Sequence, residues 1–281
     1  MKQNFKEIFR RMKKNKAAMI GLVIITLIIL TAVFADFISP YEYGIKQNSK
    51  ERLLPPSSTH LFGTDGNGRD VFTRVIHGAR TSLTLGLVTT LISAVGGGVL
   101  GACAGYYGGR LDDFIMRVLD TIMCIPNMLL ALSIVAALGS GIGNLLIAIT
   151  ISNIPVFARI IRAVVLSIVE NDYIEAAKAC GTRDWRIIHR HILKNAMGPI
   201  VIQATMSISK MILLAASLSF LGLGVQPPAP EWGTMLSEAR EFMRRAPYLM
   251  IFPGAAIVLS VLSLNLVGDG LRDALDPRLK S

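Results

Sequence analysis

Apolar residues gather along this 281-residue chain in six long runs separated by polar stretches. The first, 17–35, contains no charge, and neither does 81–109, which holds Gly96-Gly97-Gly98. Run 111–138 carries Arg117 and Asp120 near its start. Run 142–166 is interrupted at Pro155 and ends near Arg159 and Arg162. Run 196–221 carries Lys210, and 247–267 completes the set. A helix needs about 20 apolar residues to cross a hydrocarbon core of roughly 30 Å, so each run predicts a span. Proline and glycine are tolerated there because neighbouring helices re-satisfy the backbone, and small residues let helices approach closely. Val33-Phe34-Ala35 would suit a cleavage site, but the apolar core before it exceeds the roughly 7–15 residues of a signal peptide, so an uncleaved anchor is expected.

Composition agrees. The chain is 52% hydrophobic and 17% charged, against about 25% charged for a soluble domain, and its mean hydropathy is +0.52. This excludes a disordered chain and a typical soluble enzyme. A net charge of +10 suggests nucleic acid or an anionic surface, but a nucleic-acid partner does not fit so apolar a chain. Six spans place both termini on one side. The tail residues Lys2, Lys6, Arg10, Arg11, Lys13, Lys14 and Lys16 place that side in the cytoplasm. The expected order is a basic tail 1–16, a first transmembrane helix 17–38 and an external loop 39–80. A five-helix core 81–268 follows, containing a cytoplasmic loop 167–195, and then a C-tail 269–281. Cytoplasmic segments and their helix ends then hold 19 basic and 10 acidic residues, the external ones nine and eight. The excess is a positive-inside signal. Lys210 is the charge that topology leaves unexplained. Cys103, Cys124 and Cys180 lack CxxC spacing, so neither a disulfide framework nor a zinc site is expected.

In the long cytoplasmic loop, Glu175 to Cys180 suits a short helix and Gly181 its left-handed stop. Ile187, Ile188 and Ile192 mark a second amphipathic piece. Periodicity alone reads this as a helix pair lying on the membrane. Yet Glu175-Ala176-Ala177, three residues, Gly181, and then a stretch ending Ile192-Leu193 closely resemble the EAA loop of bacterial ABC importer permeases. Family members usually have proline where Lys194 stands, which should loosen the local bend. Three more segments narrow the resemblance: His60 to Asp70, Leu218 to Pro228 with Pro230-Glu231-Trp232-Gly233, and Asn265 to Pro277. Together they are similar to the second permease of dipeptide, oligopeptide and nickel importers, over about residues 10–280.

The resemblance implies an all-α polytopic protein of the type I ABC importer permease fold. It would have six transmembrane helices, cytoplasmic N and C termini and a bacterial inner-membrane location. It implies a homologous second permease subunit, two ATPase subunits that hold ATP and Mg, and an extracytoplasmic substrate-binding protein. The chain itself would have no catalytic residue and no cofactor. Glu175, Ala176, Ala177, Gly181, Ile192 and Leu193 would couple ATPase motion to alternating access. The cargo implied is a dipeptide or short oligopeptide, the alternative a nickel or other metal complex. Some members place an acid where Ala215 stands, so one possible polar pore group is missing here.

Other residues carry two readings each. Gly63-x4-Gly68-Arg69-Asp70 is a near miss to a P-loop, but a carboxylate replaces the magnesium-binding hydroxyl and would repel phosphate. It reads either as a turn held by Asp65 and Asp70, or as a contact of Asp65, Arg69 and Asp70 with an external partner. Lys210 either snorkels, pairs with an acid such as Asp120, or faces a cavity in the translocation path. Asp120 follows Arg117 on one helical stripe, which suits pairing within or between helices. His189 and His191 lack the acids or cysteines that would complete a metal site, and Met123, Met128, Met206 and Met211 read as packing. An intramembrane enzyme is disfavoured because no histidine falls in an expected span. A lone secondary transporter is disfavoured because repeated halves and several intramembrane acids are missing.

Overall fold

The computed structural model describes residues 5–275, and no strand occurs among them. In chain order the helices are α1 (Phe5–Met12), α2 (Lys16–Val33), α3 (Ala35–Ile38), α4 (Tyr41–Ile45), α5 (Val71–Tyr107), α6 (Gly109–Met123) and α7 (Asn127–Leu138). Then come α8 (Ile142–Val169), α9 (Asp172–Ala179), α10 (Asp184–Ile187), α11 (Leu193–Phe220), α12 (Trp232–Ala239) and α13 (Tyr248–Leu275). Expected spans 17–35, 142–166, 196–221 and 247–267 fall on α2, α8, α11 and α13. The C-tail residues Asp276 and Pro277, and the tail residue Lys2, lie outside the described residues.

Two expectations need correction. Helix α5 begins at Val71, ten residues before the apolar run, so the last quarter of the expected external loop 39–80 is helical. The carboxylate of Asp70 caps it, accepting from the Thr73 amide at 2.8 Å. Arg74, His77 and Arg80 end the apolar run in sequence, but the fold satisfies each of them. Nε2 of His77 pairs with the Ser39 carbonyl at 2.9 Å, and Arg80 donates to the Ala32 carbonyl at 3.1 Å and to Asp36 at 3.1 Å. A buried histidine therefore does lie in a long apolar helix, and it does structural work there.

Run 111–138 is not one straight helix. It divides into α6 and α7, bent by 85°. Pro126 is the cause: it has no amide hydrogen to continue the helix, and its ring disfavours the helical conformation at Ile125. Among the described residues five helices are thus long and apolar enough to cross a bilayer, and the bent pair makes a sixth crossing if counted together. Two ion pairs fasten α6 to α8. Arg162 donates to both oxygens of Asp112 at 2.5 Å, and Arg159 pairs with Asp120. The partner of Asp120 is therefore on the neighbouring helix; it is neither Arg117 nor Lys210.

The closest helix pair is α5 with α8, which run parallel. Gly97, Gly101 and Gly105 recur every fourth residue on one stripe of α5. A Cβ at Gly97 would lie 2.6 Å from the Ile154 carbonyl oxygen, and one at Gly101 would collide with that of Ala158. In lipid there is little hydrophobic drive between helices, so this backbone approach and its dispersion contacts supply the association. Helices α2 and α13 meet at the end where the described chain begins and finishes, with Asn15 donating to Asp273 at 3.2 Å. The outward faces of α2 and α5 are apolar, Ile20, Leu27, Leu91 and Val95 among them, as a lipid-facing surface requires.

The glycine seam sets a test. Gly101→Leu should prevent α5 from seating on α8 and abolish recovery of folded protein. Gly98→Ala, whose methyl would sit 3.5 Å from Ile161, should leave it unchanged. Size-exclusion chromatography of the detergent-extracted variants reads the difference.

Candidate functional site

Loop 170–195 is built to hold a short helix rigidly while leaving it in reach. Asn171 ends α8 by donating its side-chain amide to the Ser167 and Ile168 carbonyls at 3.1 and 2.8 Å. Asp172 and Glu175 occupy the first turn of α9, where the helix dipole favours negative charge. At the other end the Gly181 amide bonds to the Lys178 carbonyl at 2.9 Å, and that of Thr182 to the Ala177 carbonyl at 3.1 Å. This paired closure needs a left-handed residue, and Gly181 has φ +73°. Nothing lies within 4 Å of its would-be Cβ, so conformation alone calls for glycine there.

One face of the loop is buried. Ile174, Ile187, Ile188 and Ile192 pack with Phe157, Ile161 and Val165 of α8 and with Ala102 and Tyr106 of α5. Between α10 and α11, residues Ile188–Ile192 form a π turn. Its extra residue per turn keeps Ile187, Ile188, Ile192 and Ala196 within one narrow sector, and α11 then runs on through Lys194 without a break. The Tyr106 hydroxyl donates to Asp184 at 2.7 Å, and the Lys178 ammonium lies 5.1 Å from the centre of the same ring. Tyr106 thereby ties both halves of the loop to the end of α5. Sequence reasoning passed over it, although a tyrosine pair closing an apolar run is a signal of a helix reaching the interface.

The six predicted coupling residues divide. Glu175, Ala176 and Gly181 are exposed, and Ala177 is half-buried. Ile192 is buried and Leu193 half-buried, and both pack into the cluster that holds the loop to the helices. Trp185, 72% exposed and stacked on His189, extends the open face beyond α9. The hydrophobic periodicity of the loop, carried by Ile187, Ile188 and Ile192, does not single it out.

At the opposite end, loop 39–70 and α12 form a cap joined by buried charges. Asp65 accepts from the Asn67 and Arg69 amides at 2.8 and 2.9 Å and from Arg69 Nε at 2.7 Å. Arg69 then donates to Glu238 at 2.9 Å, and Arg74 donates to the other Glu238 oxygen at 2.7 Å. Burial opposes the charge on Arg69, but Asp65 and Glu238 outweigh it and hold its pKa above the ordinary value. Asp65 and Arg69 are enclosed by these bonds, and Asp70 is occupied by the α5 cap and by His60 at 2.9 Å. These bonds are those of a turn held by Asp65 and Asp70. Glu231 is fully buried, accepting from the Gly233 and Thr234 amides at 2.9 Å each and from Ser82 at 3.1 Å. Trp232 donates to the Val75 carbonyl at 2.9 Å. The Glu231-Trp232-Gly233 segment is thus an anchor of α12 on α5.

Lys210 is exposed on α11, and no hydrogen bond or ion pair to it is found among the described residues. No group of three or more metal-ligating side chains occurs among them either.

This arrangement matches known proteins. Residues 97–281 fit the family described as binding-protein-dependent transport system inner membrane component, and residues 4–56 the N-terminal TM domain of oligopeptide transport permease C. The chain is 49% identical to the dipeptide transport system permease protein DppC of Alkalihalophilus pseudofirmus, across 99% of this chain and 91% of that one. It is 45% identical to the di/tripeptide permease DppC of Pseudomonas aeruginosa, across 98% and 93%. It is 47% identical to the glutathione transport system permease protein GsiD of Escherichia coli O157:H7, across 98% and 90%. Among solved structures, a chain of the MetNI methionine ABC transporter in inward-facing conformations aligns with TM-score 0.60 at 19% identity, covering 72% of this chain and 97% of that one. That likeness concerns the fold.

The charged cap makes its own prediction. Glu238→Ala leaves Arg69 and Arg74 buried without their shared carboxylate and should destabilise the protein by about 3 kcal/mol. Thermal unfolding in detergent, compared with the exposed-site control Glu241→Ala, checks it.

Proposed function

The chain belongs to the family of binding-protein-dependent transport system inner membrane components, and from that premise we propose that it carries dipeptides and other short peptides inward as one permease subunit of an ATP-driven importer. It is a multi-pass membrane protein of the ABC importer permease fold. The observation that supports peptide cargo is the full-length similarity to relatives named for dipeptides, di/tripeptides and glutathione, all of them short peptides.

The working assembly contains a homologous second permease, two ATPases and an external binding protein. The excess of basic residues puts the α9 end in the cytoplasm. There the exposed residues Glu175, Ala176 and Gly181, with Trp185 beside them, meet an ATPase. ATP and Mg act in that subunit. When the ATPases close, the force on α9 passes through Ile174, Ile187 and Ile192 into α5, α8 and α11, because those side chains share one packed cluster. A densely packed core transmits displacement with little compression. Rigid attachment is therefore what coupling requires of this loop, and the Gly181 closure fixes the angle at which α9 stands. The binding protein selects the cargo, and the cap receives it.

Two measurements test this reading. In cells expressing the full importer, deletion of this chain should abolish uptake of a labelled dipeptide; retained uptake would overturn the assignment. Gly181→Val forces a β-branched residue into the left-handed region and should lower uptake at least about tenfold while ATP hydrolysis continues. Gly181→Asn, which tolerates that conformation, should keep most of the uptake. Normal uptake by the valine variant would remove Gly181 from the coupling role.

A further inference from the structure

Helix α2 has little length to spare. Its 18 residues rise about 27 Å, close to the roughly 30 Å of a hydrocarbon core. Lys16, its first residue, therefore stands at the edge of the hydrocarbon, and Lys13 and Lys14 stand at the level of the lipid headgroups. Asn15 breaks the helix between α1 and α2. Its backbone is extended, with ψ 101°, and its side-chain carbonyl caps α2 by accepting from the Ala18 amide at 3.1 Å. Helix α1 consequently leaves the axis of the span and packs on the end of α13. Its apolar residues Phe5, Ile8, Phe9 and Met12 fall at i, i+3, i+4 and i+7, the spacing of one helical face. An amphipathic helix of that pattern beside a span suits the plane of the interface.

Residues 1–16 hold seven basic groups and a single acid, Glu7. Arg10, Lys13, Lys14 and Lys16 are all exposed, and no ion pair from them occurs among the described residues. The Lys13 ammonium lies 5.1 Å from the centre of the Phe9 ring, which sets charge beside the apolar face. The acids at hand are on α13, where Asp273 accepts from Asn15 at 3.2 Å and Asp269 is followed by Arg272. The turn is also clasped by close packing: a Cβ at Gly270 of α13 would collide with Ala18. A solvated tail has no need of a separate helix or of such a clasp. Here four positive groups are held at headgroup level without counter-charges of their own.

We propose that the elbow between α1 and α2 is a binding site for anionic phospholipid headgroups, with Arg10, Lys13, Lys14 and Lys16 holding the phosphodiesters and the apolar side of α1 resting on the acyl chains. Each basic group near an anionic surface strengthens attachment about fivefold. The site seats α1 in the membrane surface and, through Asn15 and Ala18, fixes the start of α2 against α13. It is independent of the cargo.

The test titrates the complete importer, purified in detergent, with phosphatidylglycerol or phosphatidylcholine and counts bound lipids by native mass spectrometry. Wild type should prefer phosphatidylglycerol. Lys13→Gln/Lys14→Gln should weaken that binding about 25-fold and leave phosphatidylcholine binding unchanged, and Lys13→Arg/Lys14→Arg should preserve both. No preference in wild type, or an unchanged phosphatidylglycerol affinity in the glutamine variant, would overturn the proposal. So would an equal loss in Arg186→Gln/Arg190→Gln, which removes the same charge from loop 170–195 and would reduce the effect to net charge. Displacement of the lipid by soluble glycerol 3-phosphate would overturn it too, because the site would then serve free phosphate and not a membrane surface. In nanodiscs, phosphatidylglycerol should suppress tryptic cleavage of wild type between Arg10 and Lys16. Equal cleavage in phosphatidylcholine nanodiscs would show that α1 is not seated on anionic lipid.

Discussion

Backbone contact between α5 and α8 along Gly97, Gly101 and Gly105 is the constraint on which the other parts rest. The two helices run in parallel, and at Gly97 even a methyl group would lie only 2.6 Å from a carbonyl oxygen of the neighbour. Ser93, just above the seam, donates to the Thr150 carbonyl at 3.2 Å and fixes the register. Because α5 extends past the membrane-length segment at the cap end, one helix pair supports both working ends of the protein. At one end Tyr106, Phe157, Ile161 and Val165 receive the isoleucines of the loop. At the other, Asp70, Arg74 and Ser82 receive loop 39–70 and α12.

The two ends are attached by opposite means, and the difference suits their positions. The α9 loop is held mainly by aliphatic packing, with the Tyr106 hydroxyl on Asp184 and the Lys178 ammonium over the Tyr106 ring added. The cap is held by Asp65, Arg69, Arg74 and Glu238, whose bonds demand fixed geometry. Buried ion pairs contribute less net stability than their Coulomb energy, but removing one member leaves an uncompensated charge. Such a device favours a unique arrangement of the loop over α5.

Local chemistry settled a good deal of this protein before any tertiary contact was considered. Apolar runs of sufficient length required membrane crossing at 17–35, 142–166, 196–221 and 247–267, because the bilayer has a fixed thickness. Gly181 was legible as a helix stop because the left-handed conformation is a property of one residue. The Glu175-Ala176-Ala177 and Gly181 pattern was legible as a family resemblance because it lies within one short segment.

What tertiary structure decided are the properties that depend on partners distant in sequence. The start of α5 could not be placed by hydropathy, since Arg74, His77 and Arg80 look like loop residues until Glu238, Ser39 and Ala32 are beside them. The side chain of Asp120 was open to Arg117 or Lys210 along the chain, and the packing of α6 on α8 gave it to Arg159. Ile192 and Leu193 belonged to the coupling motif by spacing, but only the packed cluster distinguishes residues that hold the loop from those that face outward. The bend at Pro126 was in principle readable, whereas its 85° angle was not, because the direction of the second segment is set by the helices it packs against.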